Sequence, residues 1–265
     1  MPEHATVVVA PSAARRQLRV DRWFYINVAL FVILLSVVGF GPSITDQSRR
    51  NASLSLLVIV HSIAAGAWLL LFLTQATLVA TKHIAVHRRL GLVGPVFAVS
   101  MIVLVYLVSI EEFRRGYDLS SDLTRVFIPP GLPLTFPGEA LYVPLGVVFN
   151  FGVLVGAGLW WRHRPDIHKR LMLLAVLGLA REPFLHVVGY LTRYWPALQG
   201  SGAILDPVIT ILLLSVSAIY DRVSQGRIHP VSVWVPILLV AWLNTLQFVL
   251  PSSTAWREFS AWLIR

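Results

Sequence analysis

Long uncharged apolar runs constrain this chain more than any other feature. No charged residue falls between Arg22 and Asp46, and the next run, about Leu54 to Ala80, is interrupted only by His61. Five more follow, at about Leu90 to Ile110, Ala140 to Trp161, Leu171 to Tyr190, Asp206 to Tyr220 and Val231 to Leu250. Each is near the ~20 residues that cross ~30 Å of hydrocarbon at ~1.5 Å per residue. Backbone groups in lipid must be satisfied within the segment, so each run is expected to be a helix. The expected fold is all-α: a polytopic membrane helix bundle of about seven transmembrane helices. Residues 1–22 form an N-terminal segment, 23–250 one seven-helix transmembrane domain, and 251–265 a C-terminal tail. In the sixth segment, Asp206 reads as a helix cap and Pro207 as a first-turn residue.

Composition agrees with that reading. Hydrophobic residues make up 56% of the chain and charged residues only 13%, against about 25% charged in soluble domains. The net charge of +9 sits in short loops. That pattern suits topology signals and lipid headgroups, and does not point to nucleic acid. There is no cysteine, which excludes disulfides, thiolate zinc sites, cysteine-held iron–sulfur clusters and covalently attached heme. Histidine is the strong nitrogen ligand that remains. The sequence has no Gly-rich phosphate loop, no HExxH pair and no GxSxG elbow. The first apolar run is too long for a signal-peptide core and reads as an anchor.

The stretch Trp161 to Trp195 departs from the apolar pattern. It opens on the basic loop end His168-Lys169-Arg170 and carries Arg181, Glu182 and His186 inside an apolar segment. Ionisable groups at membrane depth are costly and usually face protein or a polar site. Glu182 and His186 are four apart, on one helix face, so the carboxylate is placed to orient the imidazole. Arg181 calls for a partner on another helix or on a bound anionic group. In the second segment His61, Ala65, Trp68, Phe72 and Gln75 share one face by their spacing. By depth, His61 and His186 form a candidate outer metal-binding pair, with Glu182 and Gln75 supporting it. His87, His168 and, less directly, His229 sit at the starts of alternate segments and form a candidate inner site. Paired histidines hold heme iron axially, or copper or iron with further ligands. The plainer alternative is that the basic loop ends are topology signals and that the intramembrane groups pin helices together. His4, His83 and His163 read as solvated loop residues. The proline-rich stretch Pro129 to Gly138 reads either as a surface loop or as a lid over the bundle.

A weak internal repeat links His87-Arg88-Arg89-Leu90-Gly91, His168-Lys169-Arg170-Leu171-Met172 and Arg227-Ile228-His229-Pro230. If the hairpins are duplicated, His87 and His168 occupy equivalent places. These loops, with His61, Trp68, Gln75 and Ala180-Arg181, resemble a family of uncharacterised bacterial multi-pass membrane proteins. The likeness covers about three quarters of the chain. More distantly, the chain is similar to diheme b-type transmembrane cytochromes, whose central helices supply paired histidines near both membrane faces. The fourth apolar run of this chain, about Ala140 to Trp161, has no histidine within its span, a departure from that pattern. The resemblance implies a heme b or metal-binding electron-transfer protein of the bacterial cytoplasmic (inner) membrane. Its partners would be the lipid bilayer and a quinone or other redox partner, with an oligomer compatible. The alternatives are a small-molecule or proton-coupled carrier built on Arg181 and Glu182, and a non-catalytic accessory or assembly subunit.

Lys and Arg are denser in the loops on the N-terminal side, at Lys82, Arg88, Arg89, Arg162, Arg164, Lys169, Arg170, Arg222 and Arg227. Positive-inside reasoning puts the N-terminus in the cytoplasm and the C-terminus outside. Alkaline phosphatase fused after Arg265 should therefore be active in intact bacteria, and a fusion in the loop after Trp161 inactive. The reverse pattern would invert the orientation.

Overall fold

The computed structural model describes residues 11–116, 118–134 and 137–265, with side chains from residue 23 onward. His4 lies outside the described residues. Eleven α-helices run in order among the described residues. They are α1 (Pro11–Thr45), α2 (Leu56–Ala80), α3 (Ile84–Leu90), α4 (Gly94–Arg115), α5 (Asp122–Phe127), α6 (Tyr142–Trp160), α7 (Pro165–Leu179), α8 (Arg181–Leu191), α9 (Gly202–Gln225), α10 (Pro230–Val249) and α11 (Thr254–Leu263). No strand occurs among the described residues. Among the described residues seven spans are long and apolar enough to cross a membrane. The third joins α3 to α4, and the fifth joins α7 to α8.

The helix ends follow local chemistry. Ser55 caps α2 by accepting the Val58 amide at 3.2 Å. Gly116 and Gly226 end α4 and α9 with positive φ, where a residue lacking Cβ is unstrained. In the loop after α1, the Ser48 hydroxyl and amide both donate to Asp46 and hold its carboxyl below the usual carboxylate range. Two boundaries differ from the sequence reading. The sixth span starts at Gly202, so Asp206 and Pro207 lie inside α9. Asp206 does not cap, because its carboxylate is taken by Arg181. The tail after residue 250 also forms a helix, α11. Its exposed Phe259 and Trp262 suit a helix lying in the membrane interface.

The fifth span is the centre of the bundle. It packs against α1, α6, α9 and α10, and 61% of its apolar window is buried, against at most 33% in any other span. Leu173, Leu174, Val176, Leu177 and Leu185 are fully enclosed. Outward faces of the other spans expose Leu34, Ile63, Val96 and Leu238. Apolar surface that extensive requires lipid around it. Trp160, Trp161, Tyr194 and Trp195 are exposed at span ends, where amphipathic rings meet headgroups.

The fifth span is interrupted at Ala180. Pro183 has no N–H to give the Leu179 carbonyl, so the helical ladder breaks one turn before it. The α1 helix closes on this break at Gly39, where an added Cβ would lie 2.5 Å from the Pro183 carbonyl oxygen. At the same end the loop after α4 folds inward. The backbone and side-chain amides of Asn51 both donate to it, to the carbonyls of Leu119 and Asp118. Helix α5 packs on α8 so closely that a Cβ at Gly189 would collide with the Asp122 carbonyl. Of the two loop readings, residues 118–127 behave as a cap, while the described part of the proline-rich stretch is exposed.

Gly39→Ala should lower the thermal midpoint of the detergent-solubilised protein, by the equivalent of about 1–3 kcal/mol for overpacking against backbone. Gly66→Ala, with no atom within 4 Å of the new Cβ, should leave the midpoint unchanged or slightly raised. Equal midpoints for the two variants would refute the close α1–α8 contact.

Candidate functional site

Charges come first, because in lipid they must be paired. Arg181 is 4% exposed. Its Nε and one terminal nitrogen grip both oxygens of Asp206, each at 2.5 Å. Its other terminal nitrogen donates to Glu182 at 2.5 Å. The partner is therefore a neighbouring helix, with no need for a bound anion. Glu182 turns toward Arg181 and away from the orienting role expected beside His186. The long guanidinium arm spans the ~100° that separates consecutive residues on a helix.

Arg170 departs further from the sequence reading. It sits in a basic loop end that reads as a topology signal, yet it is 2% exposed. It holds Asp221 through Nε, at 3.1 and 2.9 Å, and through a terminal nitrogen at 2.5 Å. A further nitrogen donates to the Asp166 carbonyl at 2.6 Å. Asp221, 0% exposed, also accepts from Ser232 Oγ at 2.6 Å and from the His229 amide at 3.2 Å. Ser217 extends the network to Ser232 at 2.8 Å. Asp221 was missed from sequence because it abuts a loop. An acid at the end of an apolar run is the signal that could have flagged it.

The predicted histidines divide. His186, on α8, faces the cap: Nδ1 is 3.3 Å from Ser120 Oγ and 3.9 Å from Asp122 Oδ2. Its ring packs edge-on to Phe40 of α1 at 4.7 Å. The cap residues around it, Asp118, Ser120, Asp122 and Thr124, are buried and were not singled out from sequence. Their Ser-Ser-Asp-x-Thr pattern is a helix-start signal that could have located them. Asp118 accepts the Thr124 amide at 2.8 Å, while Asp122 meets Arg125 at 3.3 Å and Arg193 at 3.5 Å. His61, on α2, belongs to a helix that packs on α1 and α4, whereas α8 packs on α1, α5 and α9. No hydrogen bond, ion pair or ring contact joins His61 to His186, the expected outer pair. Matched depth fixes one coordinate only, and α2 and α8 share α1 as a neighbour while their other main neighbours differ.

The basic end is where the fold assembles histidines. His87 lies on α3 and His168 in the first turn of α7, and their ring centroids are 6.4 Å apart with planes at 76°. His168 Nδ1 is 2.7 Å from the Gly158 carbonyl. That contact fixes its proton on Nδ1 and leaves Nε2 as a lone-pair donor. His87 Nδ1 is buried with no hydrogen-bond partner, and so is Gln75 Oε1. Gln75 is nearby, since its amide nitrogen is 3.5 Å from a Cβ built at Gly91. His229 does not join them. Its Nδ1 accepts the Val231 amide at 3.2 Å as the cap of α10, and its Nε2 is 3.5 Å from Asp166. His83 and His163 are exposed, as read from sequence.

The α2 face predicted from spacing points into the bundle. Trp68 and Phe72 are buried, and Trp68 packs edge-on to Phe151 at 5.0 Å. His61 Nδ1, Trp68 Nε1 and Gln75 Oε1 are all buried without partners along that face. A buried polar atom left unpaired costs about 1–3 kcal/mol, so a row of them implies water or a polar guest in the working protein. Among the described residues no group of three or more His, Asp or Glu converges to hold a metal ion.

No family model, curated protein or solved structure matches this chain.

Breaking one buried pair should be costly. Asp221→Asn should destabilise by about 3–5 kcal/mol, the usual effect of leaving a buried charge alone. The double variant Arg170→Met, Asp221→Leu should recover most of that loss. Thermal melts followed by size-exclusion chromatography measure both, and a mild single variant would refute the network's role.

Proposed function

We propose that this is an electron-transfer protein of a bacterial cytoplasmic membrane that holds a redox-active metal group between His87 and His168. The observation that carries this reading is the 6.4 Å separation of the two rings. His87 and His168 would be the residues that hold the group, since two imidazoles bound to one metal at ~2.0–2.1 Å per metal–nitrogen bond would have centroids ~6 Å apart. The Gly158 carbonyl on His168 Nδ1 adds the outer hydrogen bond that metal-bound histidines normally make. A bare ion would find only two protein ligands here, whereas heme b would need no protein ligands beyond His87 and His168. Heme b is therefore the simplest group for the site, and when bound it supplies one-electron chemistry. Arg88 and Arg89, exposed beside His87, carry the charge that heme carboxylates would need. Of the expected outer pair, His186 is engaged by the cap, and no contact joins it to His61.

The carrier reading draws support from one feature, the break in the fifth span beside Arg181. Half-helix ends at membrane depth are where carriers bind substrates. Against it, each of the Arg181 contacts named above is made within the protein.

Protein purified in detergent from heme-replete cells should show a Soret band. His87→Ala or His168→Ala should abolish it, while His186→Ala should retain it. A colourless, metal-free preparation would overturn the proposal. A band lost on His186→Ala but not on His87→Ala would move the site to the opposite end.

A further inference from the structure

A slot between α1, α7 and α9 holds about 300 Å³. Its walls are Phe24, Val28 and Phe31 of α1 and Leu213 and Val216 of α9, and its floor reaches Leu177 of the central span. Phe31 stands exposed at its mouth, toward lipid. Aromatic rings close its lower end: Phe24 stacks on Tyr220 at 3.8 Å, and Tyr25 meets both rings edge-on. Tyr220 precedes Asp221, so this is the end of the bundle where Arg170 is paired. The polar residue in the lining is Asn27. It is exposed, and its side chain makes no hydrogen bond among the described residues. Trp23, one turn earlier on α1, is also exposed and marks the headgroup level. Asn27 is ~6 Å deeper, at ~1.5 Å per residue. The interfacial layer on each face of a bilayer is ~5–7 Å thick, so Asn27 sits where phospholipid ester groups border the hydrocarbon. The same end is basic. Arg222 and Arg227 are exposed and pair with no acid among the described residues, although Arg222 donates to the Gly226 carbonyl at 2.7 Å. Helix α1 continues back to Pro11, and its sequence there carries Arg15, Arg16, Arg19 and Arg22 against one acid, Asp21.

We propose that the slot is a binding site for one anionic diacyl phospholipid. One acyl chain fills the slot, the Asn27 amide donates to an ester carbonyl, and the basic end meets the phosphate. Lipid tails are as apolar as the slot walls, so a chain gains no hydrophobic energy by leaving the bilayer for the slot. Retention depends instead on fit and on the polar end. The volume suits a chain: at ~30 Å³ per methylene, roughly the share of one water in the liquid, it takes about ten of them. A carboxamide facing hydrocarbon is costly unless it is hydrogen-bonded, and an ester oxygen at that depth satisfies it. Clusters of four or more arginines beside a span select anionic headgroups. The site shares no residue with the His87–His168 pair and goes beyond the electron-transfer reading.

The experiment loads the full-length protein, purified in detergent, with dioleoyl-phosphatidylglycerol, dioleoyl-phosphatidylcholine or oleic acid and counts retained molecules by native mass spectrometry. One phosphatidylglycerol per chain should be retained, about tenfold more tightly than phosphatidylcholine, the effect of one or two arginines near an anionic head. Val216→Phe fills the slot and should abolish retention, while the thermal midpoint holds or rises. Asn27→Leu, at an exposed position, should weaken retention about fivefold, the effect of one net hydrogen bond. Ile219→Phe, on the exposed face of α9 outside the slot lining, should change nothing. Should Val216→Phe fail to fold, Asn27→Leu carries the test alone. Equal retention of the two phospholipids, preference for oleic acid, or unchanged retention in either folded variant would each overturn the proposal. So would a lipid-free dimer, which would assign the slot to a second copy of the chain. None of these results depends on the Soret band, so failure of the metal site and failure of the slot are distinguishable.

Discussion

Two arginine–carboxylate pairs hold the centre of this bundle together. Both arginines are on the fifth span, and both acids that embrace them, Asp221 and Asp206, are on α9. The two helices run antiparallel, so the partner falls from 221 to 206 as the arginine rises from 170 to 181. The pairs thus fix the register of the central helix against α9 at two levels of the bundle. An unpaired charge at such depth costs several kcal/mol by any measure, so other registers are penalised more strongly than this one is rewarded. Replacing a buried ion pair by apolar residues is often neutral for stability. Specifying the arrangement is accordingly the better account of why the charges are there.

With the central helix fixed, its neighbours place the rest. Pro183 interrupts the ladder beside Arg181, and Gly39 lets α1 close over the interruption. Gly189 does the same for the cap helix α5, which brings Asp118, Ser120 and Asp122 to His186. That end of the fifth span is consumed by protein–protein contacts. The basic end differs. The first turn of α7 presents His168, α3 presents His87, and the polar atoms around them are not all satisfied. The contrast between a satisfied network at Arg170 and unsatisfied groups at His87 and Gln75, at the same end of the bundle, is what separates structural polarity from a candidate site.

Several features were legible in the residues themselves. Seven spans followed from hydropathy, and the inward face of α2 followed from the spacing of Trp68, Phe72 and Gln75. The meeting of His87 and His168 was suggested by their repeated loop ends. The partners of the charges were not legible. Arg170 sits among loop basics that look like topology signals. Asp206 precedes a proline and so looks like a helix cap. The pairing of His61 with His186 rested on depth, and depth does not set the angular position of a helix in the bundle.

The sequence by itself determined that the chain is a membrane bundle, how many spans it has, and which residues are too polar to face lipid. Hydrocarbon imposes those answers on each segment separately, through helix length and the cost of burying charge. Only the tertiary structure decided which polar group meets which: Arg170 with Asp221, Arg181 with Asp206, His186 with the cap, and His87 with His168. Those meetings depend on the angular order of helices and on close approaches at Gly39 and Gly189. Packing between segments sets both, and no single segment encodes them.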